Sequence, residues 1–119
     1  MDAELDRRLA ILAGYTWECP PGSSLHWWFS PERRNMGHYP PPYSDSIDAQ
    51  HCDLDPLVEA KRFGRWDELI QDFGTGGVRV TFGEITFDGW NNTRFATGDG
   101  PTRAHARAAA CEAALGETS

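Results

Sequence analysis

Cys19, His26, His38, His51 and Cys52 all fall in the first half of this 119-residue chain. A structural zinc site announces itself with paired ligands at short spacing, such as Cys-x-x-Cys, because one knuckle must present two ligands together. None of these residues has that spacing, and adjacent His51 and Cys52 make a poor chelate, so no metal site is expected. His51 reads as a solvent-facing helix residue and Cys52 as a packed one. Nucleophilic catalysis needs a thiol or hydroxyl with a base aimed at it. Cys111 falls on an apolar helix face among alanines, where burial makes a thiol inert. His105 and Arg107 fall elsewhere around that helix, with Arg107 expected at the surface. No Gly-x-Ser-x-Gly elbow is present, and no spacing gives two carboxylates a shared environment that would split their pKa values. The residues point to a protein that is not an enzyme and needs no cofactor.

Binding chemistry is better represented. Residues 15–43 hold three of the five tryptophans, all three tyrosines and six of the eight prolines. Aromatic rings bring large apolar area at little rotamer cost, so they complete a core or form a recognition surface. The prolines at 20–21 and 40–42 stiffen the backbone beside them. Trp27, Trp28, Arg33, Arg34 and Tyr39 are the candidate binding residues, since guanidinium groups beside aromatic rings suit stacking and phosphate pairing. A long aromatic hairpin folded onto its own sheet would leave the same trace in sequence. A second, weaker candidate is an anion site at Gly100, Thr102 and Arg103, where free N–H groups open the last helix. Ordinary capping, with Asp99 in the preceding turn, explains the same residues.

The net charge of −7 and pI near 4.9 argue against general nucleic-acid binding, which needs a local excess of Lys and Arg. Nothing in the sequence is long and apolar enough to span a bilayer, and the acidic opening residues lack a signal core, so a cytoplasmic location in the host cell is expected. The three cysteines have no close pairing and fit reduced thiols.

The elements that must position these residues can be read from periodicity. Residues 2–13 predict a helix with Leu5, Leu9 and Leu12 on one face, Asp2 as cap and Gly14 as stop. Leu25–Phe29 is the best strand in the aromatic stretch. From Ser44 a short helix runs through Ile47, Ala49 and Cys52. A second begins at Asp55-Pro56 and, loosened at Gly64, runs on through Trp66, Leu69, Ile70 and Phe73. Val78, Val80 and Phe82 alternate as a strand, with Gly83 a bulge or a turn. Asp88-Gly89 predicts a tight hairpin turn pairing Phe87 with Trp90, and the return strand is Trp90–Thr97. Gly98 to Pro101 reads as the turn into an alanine-rich last helix with Ala104, Ala108, Cys111 and Leu115 buried. The whole, residues 1–119, reads as one α+β domain, a small antiparallel sheet layered with N- and C-terminal helices as an αβα sandwich.

Three segments stand out: Glu4-Leu5-Asp6-Arg7-Arg8-Leu9-Ala10 ending at Gly14, Tyr43-Ser44-Asp45-Ser46-Ile47-Asp48-Ala49 after prolines, and the alanine-rich helix from Pro101 to Leu115. In this order they resemble the phage αβα-sandwich family of small phage and prophage proteins. The extra helical segment between Leu54 and Phe73 departs from the pattern. The resemblance implies a fold and a phage origin, and supplies no functional residues. The expected role is a phage accessory protein acting by stoichiometric binding, in anti-defence or host takeover, with a host protein or small ligand as partner. The alternatives are a nucleotide or small-ligand binder or enzyme using the aromatic–arginine segment, and a minor virion or assembly component.

Overall fold

The computed structural model describes residues 2–61, 65–86 and 89–116. It is an α+β fold with helices at both ends and two three-stranded antiparallel sheets between them. Helix α1 (Ala3–Leu12) starts where the Asp2 carboxylate accepts the Leu5 N–H, and the chain leaves it through Gly14 at φ +95°, a left-handed conformation that suits glycine. Leu5 and Leu9 are buried, while Leu12 stays exposed.

The aromatic stretch forms a small sheet of β1 (Thr16–Glu18), β2 (Trp27–Phe29) and β3 (Asn35–Gly37), with β2 in the middle. Only its central strand was legible in sequence. Two short helices follow, α2 (Ile47–Asp53), capped by Ser46, and α3 (Asp55–Lys61). The second sheet is β4 (Arg65–Asp72), β5 (Val78–Thr86) and β6 (Gly89–Gly100), in that order. Helix α4 (Arg103–Leu115) packs on β5 and β6 and is also touched by α1, α2 and α3.

Residues 65–72 are therefore a strand, not the continuation of a helix. Trp66, Leu69, Ile70 and Phe73 have helical spacing, but this stretch pairs with β5 residue for residue, from Arg65 opposite Ile85 to Asp72 opposite Val78. Gly74–Gly76 forms a short 3₁₀ turn closed by the Phe73 N–H on the Gly77 carbonyl, and it makes a hairpin of the two strands. Local spacing lost to tertiary pairing. Gly83 marks a bulge: Phe82 faces Ala96 while Gly83 faces Arg94, so Phe95 is the extra residue. The β5–β6 hairpin is present, but Gly89 pairs with Thr86 and Trp90 with Ile85, so Gly89 is a strand residue rather than half of the turn. Phe87 and Asp88 themselves lie outside the described residues.

Gly98 and Gly100 belong to β6 rather than to a turn. A Cβ at Gly98 would fall 2.2 Å from the Ala110 nitrogen and 2.3 Å from the Ala106 oxygen. The α4 backbone thus rests directly on the strand, which explains the small residues on both. Ala106, Ala108, Ala110, Cys111 and Ala114 join Trp28, Tyr43, Leu54, Val58, Val80 and Phe82 in the core. Ala104 and Leu115 are only half-buried. Arg107, expected at the surface, is 2% exposed, because the helices packed on α4 cover the face that carries it.

Candidate functional site

The aromatic segment is anchored at its base. The Tyr15 and Tyr43 hydroxyls both donate to Asp53 Oδ2, at 3.2 and 2.7 Å, so one carboxylate on α2 ties residues 15 and 43 together. Tyr43 is fully buried, and burial followed by the hydrogen bond to Asp53 pushes its phenol up, well away from ionisation. Ser44 donates its N–H to Asp6 Oδ1 at 2.7 Å, and its hydroxyl accepts the Asp2 N–H at 3.0 Å. Burial raises the Asp6 carboxyl pKa. Two polar clamps therefore hold the segment against α1 and α2.

Between the clamps the small sheet shows two faces, as alternation along a strand requires. On one face Trp28, 2% exposed, sits opposite Trp17, with ring centroids 5.3 Å apart. On the other, Trp27 stacks on His38 at 4.1 Å, and Arg33 lies over the Phe29 ring at 5.2 Å. Arg33, in the left-handed region at φ 66°, forks onto Glu18 with nitrogen–oxygen distances of 2.5 and 3.1 Å. That hydrogen bond, helped by one from the Thr16 hydroxyl, lowers the Glu18 carboxyl to about 2.

A pocket of about 190 Å³ opens on the Trp28 face. Ala3 and Arg7, one turn apart on α1, form one side of its lining; Trp17, Trp28, His38, Tyr39 and Pro40 complete it. Tyr39 is 83% exposed and Trp17 is 42% exposed, while Trp28 is buried. Among the described residues the Arg7 side chain makes no hydrogen bond or ion pair, in contrast to that of its neighbour Arg8, which pairs with Glu112.

Of the five candidates from sequence, Trp28 and Tyr39 meet at this pocket. Trp27 and Arg33 are on the opposite face of the sheet, with Arg33 committed to Glu18, and Arg34 is exposed, its N–H donating to Ser30 Oγ. Trp17 and Arg7 were missed. Trp17 lay inside the aromatic stretch, but only strand pairing puts it opposite Trp28. Arg7 sits on the polar side of an amphipathic helix, and nothing in its local sequence marks it.

At the start of α4, Thr102 Oγ1 accepts the His105 N–H at 3.2 Å and so caps the helix. The cap is Thr102 and not Asp99, which pairs with Arg79 at 2.7 Å. Arg103 lies 4.0 Å from Glu68, and a Cβ at Gly100 would meet His105 Nδ1 at 2.2 Å. His105 Nε2 is 3.1 Å from the Asp2 carboxylate. The protein's own groups occupy the surroundings of this helix end.

The densest charge cluster is buried. Arg107 donates to Asp55 through both terminal nitrogens at 3.0 and 2.8 Å, to Glu68 through Nε at 3.0 Å, and to Gln50 Oε1 at 3.0 Å. Asp55 also meets His51 Nδ1 at 2.6 Å, and Gln50 donates to the Tyr43 and Ala104 carbonyls. Cys111 lies beside this cluster, and burial pushes its thiol up to about 12. Cys19 and Cys52 are exposed, so Cys52 is not the packed residue expected. No group of three or more His, Cys, Asp or Glu side chains among the described residues could hold a metal ion. No helix among them is long and apolar enough to cross a membrane.

A larger groove of about 600 Å³ runs between β6 and the end of α4, lined by residues 94–97 with Glu112, Ala113 and Gly116. Its ring, Phe95, packs near Trp66 and Phe82, and Glu112 is taken by Arg8. The smaller pocket, with the exposed rings of Trp17 and Tyr39 beside buried Trp28, has the stronger recognition chemistry. No family model, curated protein or solved structure matches the chain.

Proposed function

We propose that this is a small accessory protein of phage or prophage origin that acts by stoichiometric binding, in interference with a host process, with the Trp17–Trp28–Tyr39 pocket as its recognition surface. The carrying observation is that Tyr39 and Trp17 stand exposed at the mouth of a pocket lined by a buried tryptophan. At 83% exposed, Tyr39 buries little of its ring against the rest of the chain, and aromatic rings at interfaces carry a large share of binding energy. The Asp53 clamp and the flanking prolines preform this surface and reduce the ordering cost of association. The phage context comes from the resemblance of the three segments quoted above.

Affinity capture from the host tests the reading. A tagged parent chain, a Trp17→Ala/Tyr39→Ala variant and a Leu69→Ala/Phe73→Ala variant would be compared, the last altering exposed apolar residues on and next to the edge strand β4. The expected result is one partner retained by the parent and the β4 variant and lost by the pocket variant. Loss with the β4 variant and retention by a folded pocket variant would reject this placement.

A further inference from the structure

We infer that the pocket accepts the base of a nucleoside monophosphate, with the phosphate at the rim paired to Arg7. The inference rests on the proposed binding role of the same pocket and specifies its ligand. Three observations lead to it. The lining offers the rings of Trp17, Trp28 and Tyr39, and every nucleobase presents a π-face that stacks on such rings. At about 190 Å³ the pocket is smaller than the roughly 300–1,000 Å³ of a site that engulfs a drug-sized ligand. It therefore suits one planar ring, leaving sugar and phosphate outside. Arg7 borders that ring site and, among the described residues, its side chain has no carboxylate partner.

In a chain of net charge −7, a cation left unpaired beside an aromatic pocket is an available phosphate partner, and a guanidinium can bind phosphate oxygens in bidentate fashion. The same balance limits the ligand. A nucleic-acid strand needs a row of cations along its backbone, whereas a mononucleotide needs one. The shared chemistry is a planar ring joined to a phosphate, so phenyl phosphate is the probe that separates a base from a simple aromatic ring.

Tryptophan fluorescence of the full chain would be titrated with AMP, GMP, CMP and UMP, with the matching nucleosides, with inorganic phosphate and with phenyl phosphate. Saturable quenching by at least one nucleotide is expected, about ten-fold or more weaker for its nucleoside and for Arg7→Gln. Tyr39→Ala should weaken binding by a similar factor; as Arg7 and Tyr39 are exposed, both variants keep their fold, verified by melting temperature. No saturable response to any nucleotide at millimolar concentration overturns the inference. So does equal binding of nucleoside and nucleotide, or phenyl phosphate binding as tightly as the best nucleotide. If nucleotides fail while Tyr39→Ala still loses a captured host partner, the ligand assignment falls and the recognition surface stands.

Discussion

Two arginine environments divide this molecule. Around Arg107, on the last helix, all three guanidinium nitrogens donate to Asp55, Glu68 or Gln50 inside the protein, and the side chain is 2% exposed. Around the aromatic segment, Arg7 has no partner among the described residues, and Arg33 has one exposed carboxylate. A buried cation with complete partners is committed to the fold, since removing any member strands a charge. An exposed cation beside aromatic rings is free to act outward. The chemistry of the side chain is the same in both places, and its surroundings decide its role.

The largest effect expected from this contrast is at Arg107. Arg107→Ala should destabilise by about 3–5 kcal/mol, because Asp55 and Glu68 lose their shared cation inside the packed structure. The double variant Arg33→Ala/Arg34→Ala should melt within a few degrees of the parent. Thermal denaturation of both checks the pair, and similar melting temperatures would dissolve the distinction.

Next comes the contact that seats the helix. Gly98→Ala places a methyl group 2.2 Å from the Ala110 nitrogen, so α4 must lift from β6, at a cost of about 1–3 kcal/mol or more. Urea denaturation measures it. A neutral result would mean that helix and strand are not in backbone contact.

The thiols give a smaller, chemical version of the same comparison. Cys19 and Cys52 are exposed, whereas Cys111 is buried with its thiol pushed up to about 12. Native protein should titrate two thiols per chain with a disulfide reagent at pH 8, and denatured protein three. A third thiol reacting at the same rate in the native state would open the core assigned to Arg107 and Cys111.

The smallest effect concerns Glu18. Its carboxyl is lowered from the ordinary 4.5 to about 2 by the Arg33 hydrogen bond and then by Thr16. A lowered acid contributes stability that is present above 4.5 and lost as the pH falls toward about 2. Because the pair is exposed, the change in stability should be slight. Carbon-detected NMR should show the Glu18 midpoint near 2 in the parent and closer to the ordinary value in Arg33→Ala.

The same contrast separates what was legible in sequence from what was not. The amphipathic stripe of Leu5 and Leu9, the Asp2 cap, the alternation of Val80 and Phe82 and the alanine-rich last helix all announce themselves locally. Residues 65–72 did not, because their apolar spacing fits a helix and only the waiting edge of β5 makes them a strand. Arg107 was invisible for a related reason: its burial depends on Asp55, Glu68 and Gln50, which lie 39 to 57 residues away. The aromatic segment was conspicuous, but the division of its rings between two faces required the pairing of Trp17 with Trp28.

The central claim is that the Trp17–Trp28–Tyr39 pocket recognises while the Arg107 cluster holds the fold. The most direct measurement is partner retention by Arg7→Gln/Tyr39→Ala protein whose melting temperature matches the parent. The account predicts a folded protein that has lost its partner by ten-fold or more, as removal of an aromatic anchor and a charged contact should produce. A folded variant that retains the partner at parental affinity would contradict it.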